Sequence, residues 1–430
     1  MSAQFKRLAF TVGATAIIQV SGVITGLIAA RLLGPEGRGE LASIVSFASV
    51  LSALGALSLQ DGVVYAVARA NDARTRDKAL SAALAMFALL APLAMFVCAG
   101  LYLTLFQGRT ESAALIFLSN IPLNYATLAI VAYFQGGARH GVWNILRVLP
   151  MGTAAVVAVG YLTIGAEVSV LWFLLATMAG NAVLLGVAGA ALMLSGFRPR
   201  PVDVEDVRTL GGYGLRLHPA TLASNARDHL DRIVMTLMLP AAALGQYAAA
   251  ATLAAALMLV GLTLDMVALP SLARSAGTPL YAERFGQLAR LGLVVIAAGA
   301  ASLAALSFWI VPFLFGRAFA EASLLTALLA VAYGLASMKT VLGLGLKAAN
   351  EPLKVGMVEA VALGLLIVLM PPTILLFGSP GAAVAAIVAQ AGSLAFMATI
   401  ICRRLSLSPA ELFMLRGSDF AALRPSLSRR

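Results

Sequence analysis

Apolar residues run in long stretches along the chain, near 8–30, 41–68, 79–105, 113–135, 145–164, 168–194, 211–238, 242–268, 287–314, 322–346, 354–377 and 381–402. A helix needs roughly 20 mostly apolar residues to cross the hydrocarbon core, and each stretch reaches about that length. Helices satisfy their own backbone groups in lipid. The alternating pattern of a membrane β-barrel strand is absent from these stretches. The pattern therefore predicts an all-α polytopic membrane protein with twelve transmembrane helices. The first stretch is too long for the apolar region of a signal peptide, so it reads as a retained helix. Pro92, Pro122, Pro312 and Pro371 fall inside stretches and are expected to kink their helices.

Composition agrees: 61% of residues are hydrophobic, 11% are charged and the mean hydropathy is +0.94. Such values lie outside the range of soluble domains. The net charge of +11 is explained by its location, which leaves no nucleic-acid footprint to account for. With a cytoplasmic N-terminus, 22 of the 30 basic residues fall in inner loops and tails. Arg31, Arg38, Arg109 and Arg317 fall in outer loops. The asymmetry puts both termini in the cytoplasm and requires an even number of spans. Cys98 and Cys402 lie in or beside spans, with no spacing for a disulfide framework, a metal site or redox chemistry. No phosphate-binding P-loop is present, and the short outer loops carry no acid pair or nucleophile–base set. Neither a cofactor nor a catalytic residue is expected.

The chain also repeats itself. Residues 39–69 align with 245–274: Gly39 falls on Gly245, Ala42 on Ala248, Asp61 beside Asp265, and Ala68–Arg69 on Ala273–Arg274. Each copy has six spans, so the copies enter the membrane in the same sense and form parallel repeats. The expected organisation is an N-terminal six-helix lobe over 1–195, a cytoplasmic linker over 196–210, a C-terminal six-helix lobe over 211–402 and a basic cytoplasmic tail over 403–430. Two such lobes are expected to enclose a central cavity, where secondary transporters bind substrate.

Five ordered segments carry a family resemblance. AARLLGPEGRGELA (29–42) resembles the helix 1–2 junction of polysaccharide and O-antigen flippases, and LDRIVMTLMLPAAALGQYAAAATLAAAL (230–257) resembles their helix 7–8 pair. ALPSLAR (268–274), KAANEPLK (347–354) and GAAVAAIVAQ (381–390) resemble later segments of the same family. The family is the flippase branch of the multidrug/oligosaccharidyl-lipid/polysaccharide exporter superfamily. The resemblance implies a bacterial inner-membrane protein that moves a polyprenyl-pyrophosphate-linked oligosaccharide to the periplasmic leaflet by alternating access. It also implies work alongside a polysaccharide polymerase and other assembly proteins. Leu41 departs from an aromatic residue often seen there, and helix 1 lacks the arginine of the lipid II flippase branch. A cation-coupled multidrug exporter of the superfamily, or a membrane enzyme of polysaccharide assembly, is the alternative.

The seventh stretch is charged. At 100° per residue, Arg227, Asp228, Asp231 and Arg232 share a 140° arc, with Ala226, Leu230, Ile233 and Leu237 on the other side. One reading is self-pairing at i,i+4, Arg227 with Asp231 and Asp228 with Arg232. The other has the arginines lining the cavity and gripping a pyrophosphate by bidentate hydrogen bonds. Arg216 and Lys339 complete the expected substrate-contacting set, Arg216 also suiting an interfacial anchor. Asp61, Asp265, Glu359 and His229 are the coupling or gate candidates.

Overall fold

The computed structural model describes residues 3–105, 111–164, 168–275, 278 and 280–415. Arg109, Gly108 and the tail beyond Leu415 lie outside them. Every regular element among the described residues is helical. In chain order the helices are α1 (Ala3–Ala56), α2 (Leu59–Arg69), α3 (Ala73–Leu105), α4 (Glu111–Leu118), α5 (Ile121–Gly136), α6 (His140–Ile164), α7 (Val170–Leu194) and α8 (Val204–Met238). There follow α9 (Ala241–Ala254), α10 (Met258–Ser275), α11 (Leu280–Phe315), α12 (Ala322–Ala348), α13 (Pro352–Phe377), α14 (Ser379–Leu405) and α15 (Pro409–Phe413).

By length and composition, ten of the described segments can cross a membrane. The expected twelve are recovered by two further observations. The first segment, Phe10–Ala56, is 47 residues long and breaks at Gly34, whose φ of 67° ends one helix. Only glycine adopts that region routinely, and Pro35 suits the first turn of the helix that follows. The second observation is α8, 35 residues long, which the composition criterion passes over because of its charges. Counted this way, the described residues make twelve helical passes of a multi-pass membrane protein.

Several passes are broken. Between α1 and α2, Leu57 (φ 47°) and Ser58 (φ 52°) sit consecutively in the left-handed region, a strained pair for residues with side chains. Pro92, Pro312 and Pro371 lie inside α3, α11 and α13, whereas Pro122 stands at the start of α5. At Pro122 the expected kink is a full break between α4 and α5.

The described chain divides into two compact units, Met1–Thr252 with Leu314–Phe319, and Leu253–Phe313 with Ala320–Arg430. This division by packing falls later than the sequence repeat, because α8 packs on α1, α2 and α3. Inside the first unit α2 is held closely on two sides. A side chain at Gly62 would come within 2.8 Å of the Leu210 carbonyl oxygen, and one at Gly214 within 2.8 Å of the Leu57 carbonyl oxygen. One at Gly136 of α5 would meet the Val64 carbonyl at 2.7 Å. The core around these helices includes Phe87, Tyr125, Phe134, Leu146 and Leu174. Tyr125, fully buried, donates its hydroxyl to the Ser52 carbonyl at 2.8 Å.

In the second unit α14 packs on α12 and α13, and α10 packs on α12. Phe285, Met338, Leu342, Val358, Met397 and Ile401 fill its core. Leu412 of the short α15 is buried in the same core, and Arg290 donates to the Glu411 carbonyl beside it.

Candidate functional site

Helix α8 starts with a built cap. The Asp206 carboxylate accepts from the Asp203 backbone N–H at 2.8 Å, and Lys78 of α3 binds Asp203 at 2.7 Å and Asp206 at 2.9 Å. Burial works to raise the Asp206 carboxyl, but the Asp203 N–H and Lys78 outweigh it and hold the group below its ordinary value. Glu205 and Asp206 also complement the helix dipole in the first turn.

From this end, polar contacts climb the helix through the membrane. Tyr213 stacks on Tyr65 with ring centres 3.9 Å apart and planes at 13°, and Arg69 lies over the Tyr65 ring. His218 Nδ1 is 3.2 Å from the Ser58 hydroxyl, so the strained break before α2 is held from α8. Thr221 donates to Asp61 at 3.4 Å, and Gln60 reaches the same carboxylate oxygen at 3.4 Å. Higher up, Arg227 binds Asp228 through two nitrogens at 3.0 and 2.8 Å. Asp231 accepts from the Tyr247 hydroxyl of α9 at 2.9 Å and from the Arg232 backbone N–H at 2.8 Å. Buried atoms without a hydrogen-bond partner recur along this ladder: Gln60 Oε1, Asn225 Oδ1 and His229 Nδ1. Buried polar groups are nearly always satisfied, so such a row marks a place suited to water or a ligand.

On this stretch Arg227 engages its neighbour Asp228, and Asp231 accepts from a tyrosine on the next helix. Arg216 is exposed. Lys339 is elsewhere, in the second unit. Its side chain is only 3% exposed and binds Glu359 of α13 at 2.9 Å. Further along the same helix, Lys347 binds Asp265 of α10 at 2.9 and 3.1 Å. Both pairs tie α12 to a neighbour, so three of the gate or coupling candidates, Asp265, Glu359 and Asp61, are held by contacts across helices.

Sequence reasoning missed Arg38. The junction expected as an outer loop is a tight break at Gly34, and Arg38 sits in the helical segment of α1 that follows it. Its guanidinium reaches the Thr252 hydroxyl of α9 at 3.2 Å, and its Nε is buried without a partner. Beside it, Gly39 and Gly245 touch reciprocally. A Cβ on Gly39 would lie 1.8 Å from the Ala241 carbonyl oxygen, and one on Gly245 would lie 1.8 Å from that of Pro35. Position 35 maps onto 241 under the same offset that maps 39 onto 245, so a local two-fold relates the repeats at this contact. The pairing of Gly39 with Gly245 in the alignment was the signal available.

The polysaccharide biosynthesis protein family model matches residues 5–276, well over half of the chain. The chain belongs to this family. Among solved structures, "Lipid II flippase MurJ, inward closed conformation" is similar with a TM-score of 0.73 and 13% identity, covering 91% of this chain and 87% of that one. An inward-facing MATE multidrug resistance transporter of the MOP superfamily has a TM-score of 0.68 and 16% identity over 92% and 99% of the two chains. The MATE multidrug transporter DinF-BH has a TM-score of 0.65 and 15% identity over 96% of each. At these identities the likeness establishes the fold alone, one shared with MurJ and the MATE transporters. A comparison with curated proteins finds no match. Within the polysaccharide biosynthesis family, the charged ladder on α8 is the feature of this chain that most needs a use.

Proposed function

We propose that the protein is a flippase that carries a polyprenyl-pyrophosphate-linked oligosaccharide from the cytoplasmic to the periplasmic leaflet of a bacterial inner membrane. The observation that carries this reading is the charged stripe of α8. A charged side chain near the bilayer centre costs about 2.5–3.5 kcal/mol on insertion scales, and Arg227, Asp228, Asp231 and Arg232 all fall within one pass. An arginine fork matches the geometry of a phosphate and holds it by charge-assisted hydrogen bonds. Family membership and a flippase-type fold support the same cargo class. Alternating access moves the headgroup along the stripe while the polyprenyl tail stays in lipid. Transport, with no chemical step by this chain, accounts for the site, and a polymerase on the periplasmic side is the natural consumer of the product.

A cation-coupled multidrug exporter is the second reading, favoured by the likeness to MATE transporters. Deleting the gene in its host separates the two. Loss of a surface or secreted polysaccharide, with lipid-linked units accumulating in the inner leaflet, is the expected result. Normal polysaccharide together with sensitivity to cationic drugs would overturn it in favour of the exporter.

A further inference from the structure

The aligned acids of the two repeats have different surroundings. Asp265 is held through both carboxylate oxygens by Lys347, at 3.1 and 2.9 Å. Asp61 has two neutral neighbours, the Thr221 hydroxyl and the Gln60 amide, each 3.4 Å from the same carboxylate oxygen. Both contacts are at the long end of a hydrogen bond. Among the described residues Asp61 forms no ion pair. It stands in the first turn of α2, about 12 Å along the helix from Arg69 in the last.

The setting is tight. A side chain on Gly62, next to Asp61, or on Gly214 of α8 would come within 2.8 Å of a carbonyl oxygen across the seam. The helices α2 and α8 therefore meet backbone to backbone around the carboxylate. The stacked Tyr65 and Tyr213 rings close the same seam one turn further along.

Charges on the helices packed around α2 are engaged elsewhere or exposed. On α8, His218 is 3.2 Å from the Ser58 hydroxyl, Asp228 binds Arg227, and Arg208 and Arg216 are exposed. On α3, Lys78 binds Asp203 and Asp206, Asp77 accepts from Tyr133 and the Arg198 N–H, Arg76 donates to the Asp72 carbonyl, and Arg74 is exposed. On α2 itself Arg69 donates to the Tyr65 hydroxyl. Helix α5 carries no charged residue, its Tyr125 donates to the Ser52 carbonyl, and α1 has no charge after Glu40.

An ionised carboxylate in such a seam has neither a cation nor ready access to water, and a proton relieves it. A protonated carboxyl donates as well as accepts. The acceptor stands beside it: Gln60 Oε1 is buried without a partner, and a half-turn of that amide presents it to the new O–H.

We infer that Asp61 is a proton-binding site, and that proton uptake there closes the seam between α2 and α8 while proton loss loosens it. The proton comes from solvent and returns to it. The inference is independent of the cargo and holds for a flippase and an exporter alike.

Infrared difference spectra of the purified full-length protein, wild type minus Asp61→Asn, read the carbonyl stretch of a neutral carboxyl. The expected result is a band from Asp61 at neutral pH that fades as pH rises, while Asp265→Asn removes no such band. Asp61→Glu carries the test if the Asn variant does not accumulate, because the band then moves instead of vanishing. No band that depends on residue 61 overturns the inference. A band that sodium ions remove at constant pH overturns the proton assignment in favour of a metal cation. The seam is read separately by joining Tyr65→Cys to Tyr213→Cys with a short bifunctional thiol reagent, with Cys98 and Cys402 replaced by serine. Cross-linking should fall as pH rises, against the reagent's own trend. One proton limits the growth of the open form to about tenfold per pH unit. Adding Asp61→Asn should keep the yield high throughout. An equal pH dependence with and without Asp61 overturns the link between the proton and the seam.

Discussion

Lys339 and Arg227 show two different ways in which a charge can live in a membrane helix. The Lys339 side chain is 3% exposed and bound to the carboxylate of Glu359. Removing one member of a buried pair strands the other charge and costs about 3–5 kcal/mol, whereas replacing both by apolar groups is often neutral. Glu359→Gln alone is therefore expected to lower the thermal transition sharply, and Lys339→Met combined with Glu359→Gln to restore it. A double variant as unstable as the single would show that the pair does more than neutralise itself. Arg227 and Asp228 are more open, at 25% and 59% exposure, so their mutual stabilisation is at most about 1 kcal/mol. If the pair is structural, Arg227→Ala with Asp228→Ala recovers both protein level and transport. The expected outcome is recovery of protein level with transport still lost, because the arginine is needed by the cargo. That Lys339 was charged and intramembrane was legible in the sequence. Its partner was not, since the two lie 20 residues apart on different helices. Arg38 was harder still: Thr252 is 214 residues away, and the loop-like GPEGRGE around Arg38 is helical after the break at Gly34.

Helix positions were legible because lipid demands a minimum apolar length, and that demand is local. Helix contacts were legible only where the repeat exposed them, as at Gly39 and Gly245. These two positions make a sharp test of helix packing. In an open helix, Gly→Ala gains up to about 1 kcal/mol from propensity. At Gly39 the new Cβ would lie 1.8 Å from a backbone oxygen, and backbone cannot rotate away as a side chain can. The clash decides the sign, so Gly39→Ala and Gly245→Ala should each destabilise. Because both act on one contact, the double should cost less than the sum of the singles. Gly186, with nothing within 4 Å of its would-be Cβ, is the control, and Gly186→Ala should be neutral or stabilising. Thermal transitions of the four variants in detergent check the ordering. If Gly39→Ala behaves like Gly186→Ala, the reciprocal contact is looser than described.

At the scale of the whole molecule, the crossing of α8 makes the sharpest test, because its composition argues against it and its neighbours argue for it. Count the passes with α8 as a crossing helix. The turn at Ala70–Asp72, the segment at Ser195–Asp203, the turn at Ala349–Glu351 and the end of α14 then share one face. That face collects Arg69, Arg74, Arg76, Arg198, Arg200, Lys347, Lys354, Arg403 and Arg404. Leave α8 out and the parity of everything after it reverses, sending Lys347, Lys354, Arg403 and Arg404 to the opposite side. Charge asymmetry of this kind sets orientation during insertion, so the first arrangement is favoured. It also keeps Gly316 and Gly378, at the other helix ends, on the face with few basic residues. Reporter fusions at Asp72 and Asp203 should therefore read cytoplasmic, and fusions at Gly316 and Gly378 periplasmic. If all four read cytoplasmic, α8 lies along the membrane instead of through it. The charged stripe would then face water at the surface, and the carrier site proposed on it would not survive.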